Sequence, residues 1–350
     1  MKIAILLSGG VDSSVALRLL QEEGHDLTAF YLKIWLEDEL AFLGDCPWEE
    51  DLKYARAVCD DANVPLEIVP LQAEYLESVV GHALEELKAG HTPSPDILCN
   101  RRIKFGEFGN KIDSAFEQIA SGHYARIEES DSTAYLKRSP DPIKDQTYFL
   151  SGMTQEQLKR ARFPLGPYTK DRVRDLAQKY ELPNKDRKDS QGICFLGKIS
   201  YPDFVRVHLG EKEGNIVELE SDEILGQHRG FWFYTIGQRG GLRLAAGPWY
   251  VVKKDTASNT IYVSHKTHLE ERARDRFVVS EPNWISEPPN AAELQVKLRH
   301  GPQLTPCRIK NLSDGKLAVK ISTADSGIAT GQTAVFYDRE ICLGGGVIIE

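Results

Sequence analysis

Residues 2–20 constrain the fold more tightly than any other segment. Lys2-Ile3-Ala4-Ile5-Leu6-Leu7 contains an apolar run of strand length. Ser8-Gly9-Gly10-Val11-Asp12-Ser13-Ser14 follows as a tight polar loop, and Val15 to Leu20 has helical apolar periodicity. A buried strand, a Gly-Gly loop and a helix in that order open a parallel α/β sheet. The loop has the composition of a phosphate cradle. Its glycines let backbone N–H groups approach an anion, and the start of the helix adds partial positive charge at the same spot. An ordinary strand–turn–helix needs only one Ser or Asp as a cap, and this loop has three serines and an aspartate. It is not the G-x-x-x-x-G-K-[ST] loop, because it lacks the lysine that reaches a γ-phosphate. It suits an enzyme that holds pyrophosphate and cuts ATP between the α- and β-phosphates.

At 350 residues the chain exceeds one typical core, so two or three domains are expected. Apolar strand-length runs at 27–33, 66–69 and 119–121 alternate with helical segments at 49–62, 74–88 and 104–114. That alternation predicts a parallel sheet with helices on both faces and one site at the carboxyl ends of its strands. The texture changes near residue 200 to glycine-rich, β-forming sequence, with short strands expected around 231–237, 249–252 and 260–263. A second all-β stretch runs from about residue 275 to the end and reads as a small barrel. The expected organisation is an α/β domain at 1–203, a small β-rich domain at 204–272 and a β-barrel at 273–350.

No run of 18 apolar residues is present, so no membrane span is expected. The first strand begins at residue 2, which argues against a signal peptide in this sequence. The six cysteines, at positions 46, 59, 99, 194, 307 and 342, form no C-x-x-C pair, so neither a zinc site nor a dense disulfide framework is supported. The formal net charge of −9 argues weakly against nucleic acid. Residues 158–188 nevertheless carry ten Lys/Arg against four acids. Such a stretch can follow a phosphate backbone, although charge alone favours a solvated face with local ion pairs.

Two cysteines have polar settings. Cys99 lies in Pro95-Asp96-Ile97-Leu98-Cys99-Asn100-Arg101-Arg102-Ile103-Lys104-Phe105, which reads as the entry to a helix. Helix N-termini and nearby Arg or Lys favour the thiolate. Asp96 is a capping residue or an acid/base. Cys194 lies in Asp189-Ser190-Gln191-Gly192-Ile193-Cys194-Phe195, a polar loop after the basic stretch.

With these two segments, Ser8–Ser14, Gly122-His123-Tyr124-Ala125, Lys144-Asp145-Gln146-Thr147-Tyr148-Phe149-Leu150 and Thr235-Ile236-Gly237-Gln238-Arg239 appear in order along essentially the whole chain. Together they resemble the tRNA-specific 2-thiouridylase family (MnmA, also called TrmU) of the PP-loop ATP pyrophosphatases. The resemblance implies an N-terminal adenine-nucleotide α-hydrolase-like domain and a cytoplasmic monomer, a mature organellar copy being compatible. It implies ATP bound at Leu6, Leu7, Ser8, Gly9, Gly10, Val11, Asp12, Ser13, Leu32 and Gly122, with Mg²⁺ on the phosphates and Asp12 as its protein contact. ATP adenylates O2 of the wobble uridine of a tRNA. Cys194 carries a persulfide received from a cysteine desulfurase or a sulfur-relay protein. Cys99 is the second thiol, forming a transient disulfide with Cys194, and Asp96 is the acid/base. The implied tRNA contacts are Ser94, Pro95 and Asp96 at the target base, with His123, Lys144, Asp145, Gln146, Arg299, His300 and Gln332. His123, read without the family, is a hydrogen-bonded core histidine. Ser94 stands where the family commonly has Asn, and Ile34 also departs from its pattern. Cys46, Cys59, Cys307 and Cys342 read as structural. Two other classes compete: a PP-loop synthetase that adenylates a small molecule, and a non-catalytic tRNA-binding protein.

Overall fold

A computed structural model describes residues 1–34, 47–188, 200–289 and 293–349. The N-terminal region is built on β1 (Lys2–Leu6), β2 (Asp26–Lys33), β3 (Leu66–Pro70) and β4 (Gln118–Ala120). After a hairpin of β5 (Ala125–Ser130) and β6 (Thr133–Arg138), the short strand β7 (Ala161–Arg162) completes a five-stranded sheet in the order β3-β2-β1-β4-β7. Every pairing in that sheet is parallel. β1 is central, and Ile3, Ala4, Ile5 and Leu6 are all buried because helices cover both faces. Ile3 and Ile5 pack with α1 (Val11–Glu22) and α2 (Pro47–Ala62). Ala4 and Leu6 pack with two long helical runs on the other face.

The first run, α3, joins Gln72–Tyr75, Leu76–Gly81 and His82–Lys88, and its middle section is π-helical. The second, α4, joins Pro95–Leu98, Cys99–Glu107 and Phe108–Lys111, again with a π-helical centre. Single π turns inside helices are frequent at functional sites. α4 begins at Pro95, before the expected position. Proline's fixed φ and missing N–H suit the first helical position, so it starts the helix ahead of Cys99.

The central region forms a four-stranded sheet, β10-β11-β8-β9, from β8 (Gly214–Glu218), β9 (Ile224–His228), β10 (Trp249–Asp255) and β11 (Thr260–His265). Phe231–Phe233, expected as strand, is a single 3₁₀ turn that packs Phe231 into this sheet's core. The C-terminal strands are β12 (Arg274–Trp284), β13 (Leu294–Lys297), β14 (Thr305–Asn311), β15 (Leu317–Asp325), β16 (Thr333–Asp338) and β17 (Ile341–Ile348). They run β12-β15-β14-β13-β16-β17, and β17 pairs back to β12, closing a six-stranded antiparallel barrel.

The hairpin β5–β6 leaves the N-terminal region and adds to this barrel, with Ile341 opposite Lys137 and Cys342 opposite Leu136. One apolar cluster therefore contains Leu6 and Phe105 together with Val335, Tyr337 and Cys342. Asp145 lies at this junction. Its carboxylate accepts from Lys297 Nζ at 2.8 Å, Arg138 Nε at 3.1 Å and Thr147 Oγ1 at 2.9 Å, and the Asp145 and Lys297 side chains have no exposed surface. Burial alone pushes the Asp145 pKa up, but the Lys297 ammonium and the hydrogen bonds outweigh it and hold the carboxyl below its ordinary value. The stabilisation is therefore present at neutral pH and is lost as pH falls through the depressed folded-state pKa. Lys297→Met leaves the buried carboxylate without its ammonium and is expected to cost about 3–5 kcal/mol of unfolding free energy. Denaturant unfolding at pH 7 checks this, and a loss below about 1 kcal/mol, the range of an exposed pair, contradicts it.

Candidate active site

The loop after β1 turns at Gly9, whose φ of +76° lies in the left-handed region. A Cβ at Gly9 would also strike the backbone carbonyl of Asp51, so both conformation and space call for glycine. Helix α1 follows with Gly10 as its N-cap, and no side chain caps it. Unpaired N–H groups at such an end suit an anion. The serines shape the loop from within. Ser13 Oγ and Ser14 Oγ each donate to Gly10 O at 3.0 Å, and Ser8 N–H donates to Ser13 Oγ at 3.3 Å. Gly122 closes the other side. A Cβ there would lie 2.8 Å from Ser13 N, so the loop after β4 touches the loop after β1, as expected of strand ends in a parallel sheet.

The segment after α5 (Lys170–Lys179) holds the loop from behind. Asn184 Nδ2 donates to Gly9 O at 2.8 Å and to Ser14 Oγ at 2.9 Å. Arg187 donates to Gly9 O at 3.1 Å, pairs with Asp51 and lies over the Tyr54 ring. Most of the basic stretch is likewise tied to local partners: Arg162 to Glu23, Lys179 to Glu22, and Arg174 to the carbonyls of Lys185 and Arg187. The solvated-face reading fits these residues better than a phosphate track.

Asp12 Oδ1 accepts from Tyr124 OH at 2.9 Å and from Lys170 Nζ at 2.7 Å. Tyr124 is itself fixed, because its N–H donates to Gln146 Oε1 at 2.9 Å and its carbonyl accepts from Gln146 N–H at 3.0 Å. The Asp12 carboxylate already pairs with one cationic group, and a carboxylate beside a phosphate cradle has the hard oxygen donors that Mg²⁺ takes. Among the described residues no cluster of three or more metal-ligating side chains occurs. Asp12 is the residue that would hold a Mg²⁺ carried in on a nucleotide, with the nucleotide's own oxygens as its further ligands. Sequence reasoning missed Tyr124, Lys170, Asn184 and Arg187 as parts of this site. Tyr124 stood inside a noted motif, and the other three lay in or next to the basic stretch.

Cys99 is not placed ahead of a helix. It is the fifth residue of α4 and is buried, in the same apolar cluster as Leu6 and Phe30. The first turn carries Asp96, half-buried, and the N-cap position holds Ser94, which makes no capping bond. Leu32, at the end of β2, packs against the same cluster. Cys194 and Cys46 lie outside the described residues. Burial pushes the thiols of Cys59, Cys307 and Cys342 up to about 12, which keeps them protonated and unreactive at neutral pH.

The expected RNA contacts divide in two. Arg299 and His300 are exposed at the barrel rim; Arg299 pairs with Asp325, and His300 stacks on Phe149 at 4.5 Å with Nε2 3.3 Å from Asp145 O. Lys144 and Gln332 are partly exposed. His123 and Asp145 lie deeper. His123 is 9% exposed, sits 2.7 Å from Ser121 Oγ through Nδ1 and packs against Phe163. Burial first, then the nearby Lys104 charge, holds its pKa well below the usual value, so it is a neutral core histidine. Asp145 is the buried ion-pair partner described above, and Gln146 is turned inward to Tyr124. A polar motif in sequence does not distinguish a residue that faces a ligand from one that holds the loop facing it.

Gly122→Ala is expected to weaken ATP binding at least tenfold while costing about 1–3 kcal/mol of stability, the usual range for overpacking. Nucleotide titration calorimetry beside a denaturation curve checks this. Unchanged nucleotide affinity would show that the β4 loop does not shape the cradle.

The chain matches the tRNA methyl transferase HUP domain over residues 1–198, the tRNA methyl transferase PRC-barrel domain over 202–265 and the aminomethyltransferase beta-barrel domain over 274–348. It is 44% identical over 355 residues to tRNA-specific 2-thiouridylase MnmA 1 of Bacteroides thetaiotaomicron, covering 99% of both chains. It is 44% identical over 357 residues to the MnmA of Parabacteroides distasonis, covering 100% of this chain and 99% of that one. For the Porphyromonas gingivalis MnmA the figures are 41% over 363 residues, 100% and 99%. Full-length likeness at this level, over a parallel-sheet domain, a small β domain and a closed barrel, means that the chain belongs to the tRNA-specific 2-thiouridylase family.

Proposed function

We propose that this protein is an ATP-dependent tRNA-uridine 2-sulfurtransferase acting on the wobble uridine of tRNAs of the Lys, Glu and Gln types. The observation that carries the ATP half is the uncapped start of α1 behind a left-handed Gly9, closed by Gly122 and faced by Asp12. That arrangement binds an anion without a loop lysine. The proposed domain limits are 1–203, 204–272 and 273–350.

In the proposed reaction, O2 of the uridine attacks the α-phosphorus of ATP, and pyrophosphate leaves with the electron pair of the broken P–O bond. The adenylated oxygen is now a good leaving group. Cys194 carries a persulfide supplied by a desulfurase or relay protein. Its terminal sulfur attacks C2, and AMP leaves with the former O2. Cys99 thiolate then attacks Cys194 Sγ, forming a Cys99–Cys194 disulfide and freeing the sulfur on the base as a thiocarbonyl. In the variant order, Cys99 attacks first and releases sulfide, which then attacks C2. Both orders end in the same disulfide, which an external dithiol must reduce.

Free cysteine, with a pKa of about 8.5, is a few per cent thiolate at neutral pH. Asp96, one helical turn before Cys99, is the group proposed to move its proton. Mg²⁺ supplies charge neutralisation on the phosphates. Ser94, Pro95 and Asp96 face the target base, while Lys144, Arg299, His300 and Gln332 form the proposed outer RNA contacts. A base modified at O2 must leave its stack, so a grip on the flanking RNA at the barrel rim is needed beside the base site.

Incubation with unmodified tRNA, ATP-Mg²⁺ and a persulfide donor is expected to give thiolated tRNA, seen as retardation in a mercury-containing gel, together with AMP. A folded protein that gives no retarded band overturns the proposal. Cys99→Ser and Cys194→Ser are each expected to lower persulfide-dependent turnover by more than a hundredfold. Full activity in either variant removes the two-cysteine mechanism and leaves the adenylation step standing.

A further inference from the structure

The loop at Ser8–Ser14 has no lysine, yet a lysine reaches it from elsewhere in the fold. Lys170 opens α5, and two sets of bonds fix where that helix begins. Thr169 Oγ1 accepts from Arg172 N–H at 3.4 Å as the helix cap, and Lys170 N–H donates to Asp141 Oδ2 at 3.0 Å. Asp141 also accepts from the N–H groups of Ile143 and Lys144, each at 3.1 Å. Lys170's backbone is therefore held in place, and its side chain, 13% exposed, extends to Asp12 Oδ1 at 2.7 Å. Arg187, also beside the loop, is committed behind it to Gly9 O and Asp51.

Cleavage between the α- and β-phosphates moves negative charge onto the departing pyrophosphate. The uncapped start of α1 and the Gly-Gly backbone supply partial charges only, about half a unit at a helix end. A full positive charge on the leaving group is worth more in a partly desolvated site. Lysine suits this as a point charge on a flexible stem that bonds whichever phosphate oxygen is nearest.

We propose that Lys170 is the phosphate-binding cation of this site: on ATP entry its ammonium turns from Asp12 to the β-phosphate and stays with the pyrophosphate as it departs. The assignment rests on the proposed ATP-to-AMP reaction. The bond that forms is uridine O2 to the α-phosphorus. The bond that breaks joins the α-phosphorus to the bridging oxygen, which keeps the electron pair as part of pyrophosphate. Lys170 transfers no proton and stabilises the charge that appears.

Pyrophosphate and AMP separate this role from a structural one, because AMP lacks the group that Lys170 is assigned to hold. In magnesium-containing buffer, Lys170→Met is expected to weaken pyrophosphate and ATP binding at least tenfold by calorimetry and to leave AMP binding within twofold. Lys170→Arg recovers part of the loss. Equal loss for AMP and pyrophosphate shows that Lys170 only holds Asp12 and the loop in shape, and overturns the proposal. So does undiminished pyrophosphate affinity. If Lys170→Met does not fold, the wild-type protein answers the same question. Magnesium pyrophosphate is expected to protect Lys170 from reductive methylation, read by peptide mass spectrometry, whereas AMP gives no protection; equal labelling in all three states overturns the assignment. Wild-type turnover of ATP to ADP overturns the proposed reaction instead, and the affinity comparison still tests Lys170 on its own.

Discussion

The ion pair of Asp145 with Lys297 is the constraint on which the rest of the arrangement depends. A carboxylate and an ammonium with no exposed surface survive only if each stays bonded. This one fixes β6, the turn before Thr147 and β13 of the barrel at a single point. The next residue, Gln146, clamps the backbone of Tyr124 from both sides, and Tyr124 OH ends on Asp12. The barrel rim carrying Arg299 and His300 and the nucleotide loop are thus joined by one continuous run of hydrogen bonds and packed apolar residues. The shared cluster from Leu6 to Tyr337 makes the same connection through side-chain packing. A large substrate gripped at the rim, as proposed, would be held in fixed register with the loop that activates it.

The nucleotide loop is equally an assembly. Residues 8–14 supply its backbone, but its shape comes from Gly122 on one side and Asn184 and Arg187 on the other. The segment that clamps the loop from behind leads directly, in sequence, to the stretch bearing Cys194. That order gives the basic stretch a structural purpose different from RNA binding: its cations hold the loop, its own helix and the neighbouring helix together.

Much of this was legible in the sequence for physical reasons. Strands buried on both faces read as apolar runs, so β1, β2 and β4 were visible, and a Gly-Gly loop after such a strand left little choice of conformation. The hairpin β5–β6 was not visible. Its exposed, polar ends carry no clean alternation, and its partner β17 lies some 200 positions away, from Leu136 to Cys342. The start of α4 was misplaced because helical periodicity is clearest in the interior of a helix, whereas its beginning is set by one residue, Pro95. The burial of His123 and Asp145 was not legible because burial is a tertiary property. Each is polar, each lies in a motif, and each uses its polarity inward, on Ser121 and on Lys297.

A lysine supplied from α5 differs physically from one built into the loop. Without nucleotide, a loop lysine would face its own helix N-terminus, where like partial charges oppose each other. Lys170 instead rests on Asp12, so neither group is left without a counter-charge. Exchange of Asp12 for a phosphate keeps the ammonium paired throughout. It also releases the Asp12 carboxylate, still oriented by Tyr124. The Lys170–Asp12 ion pair is then the arrangement from which both partners start, held ready by Asp141 and Tyr124. Preorganisation of this kind removes the cost of ordering a flexible side chain from the binding step.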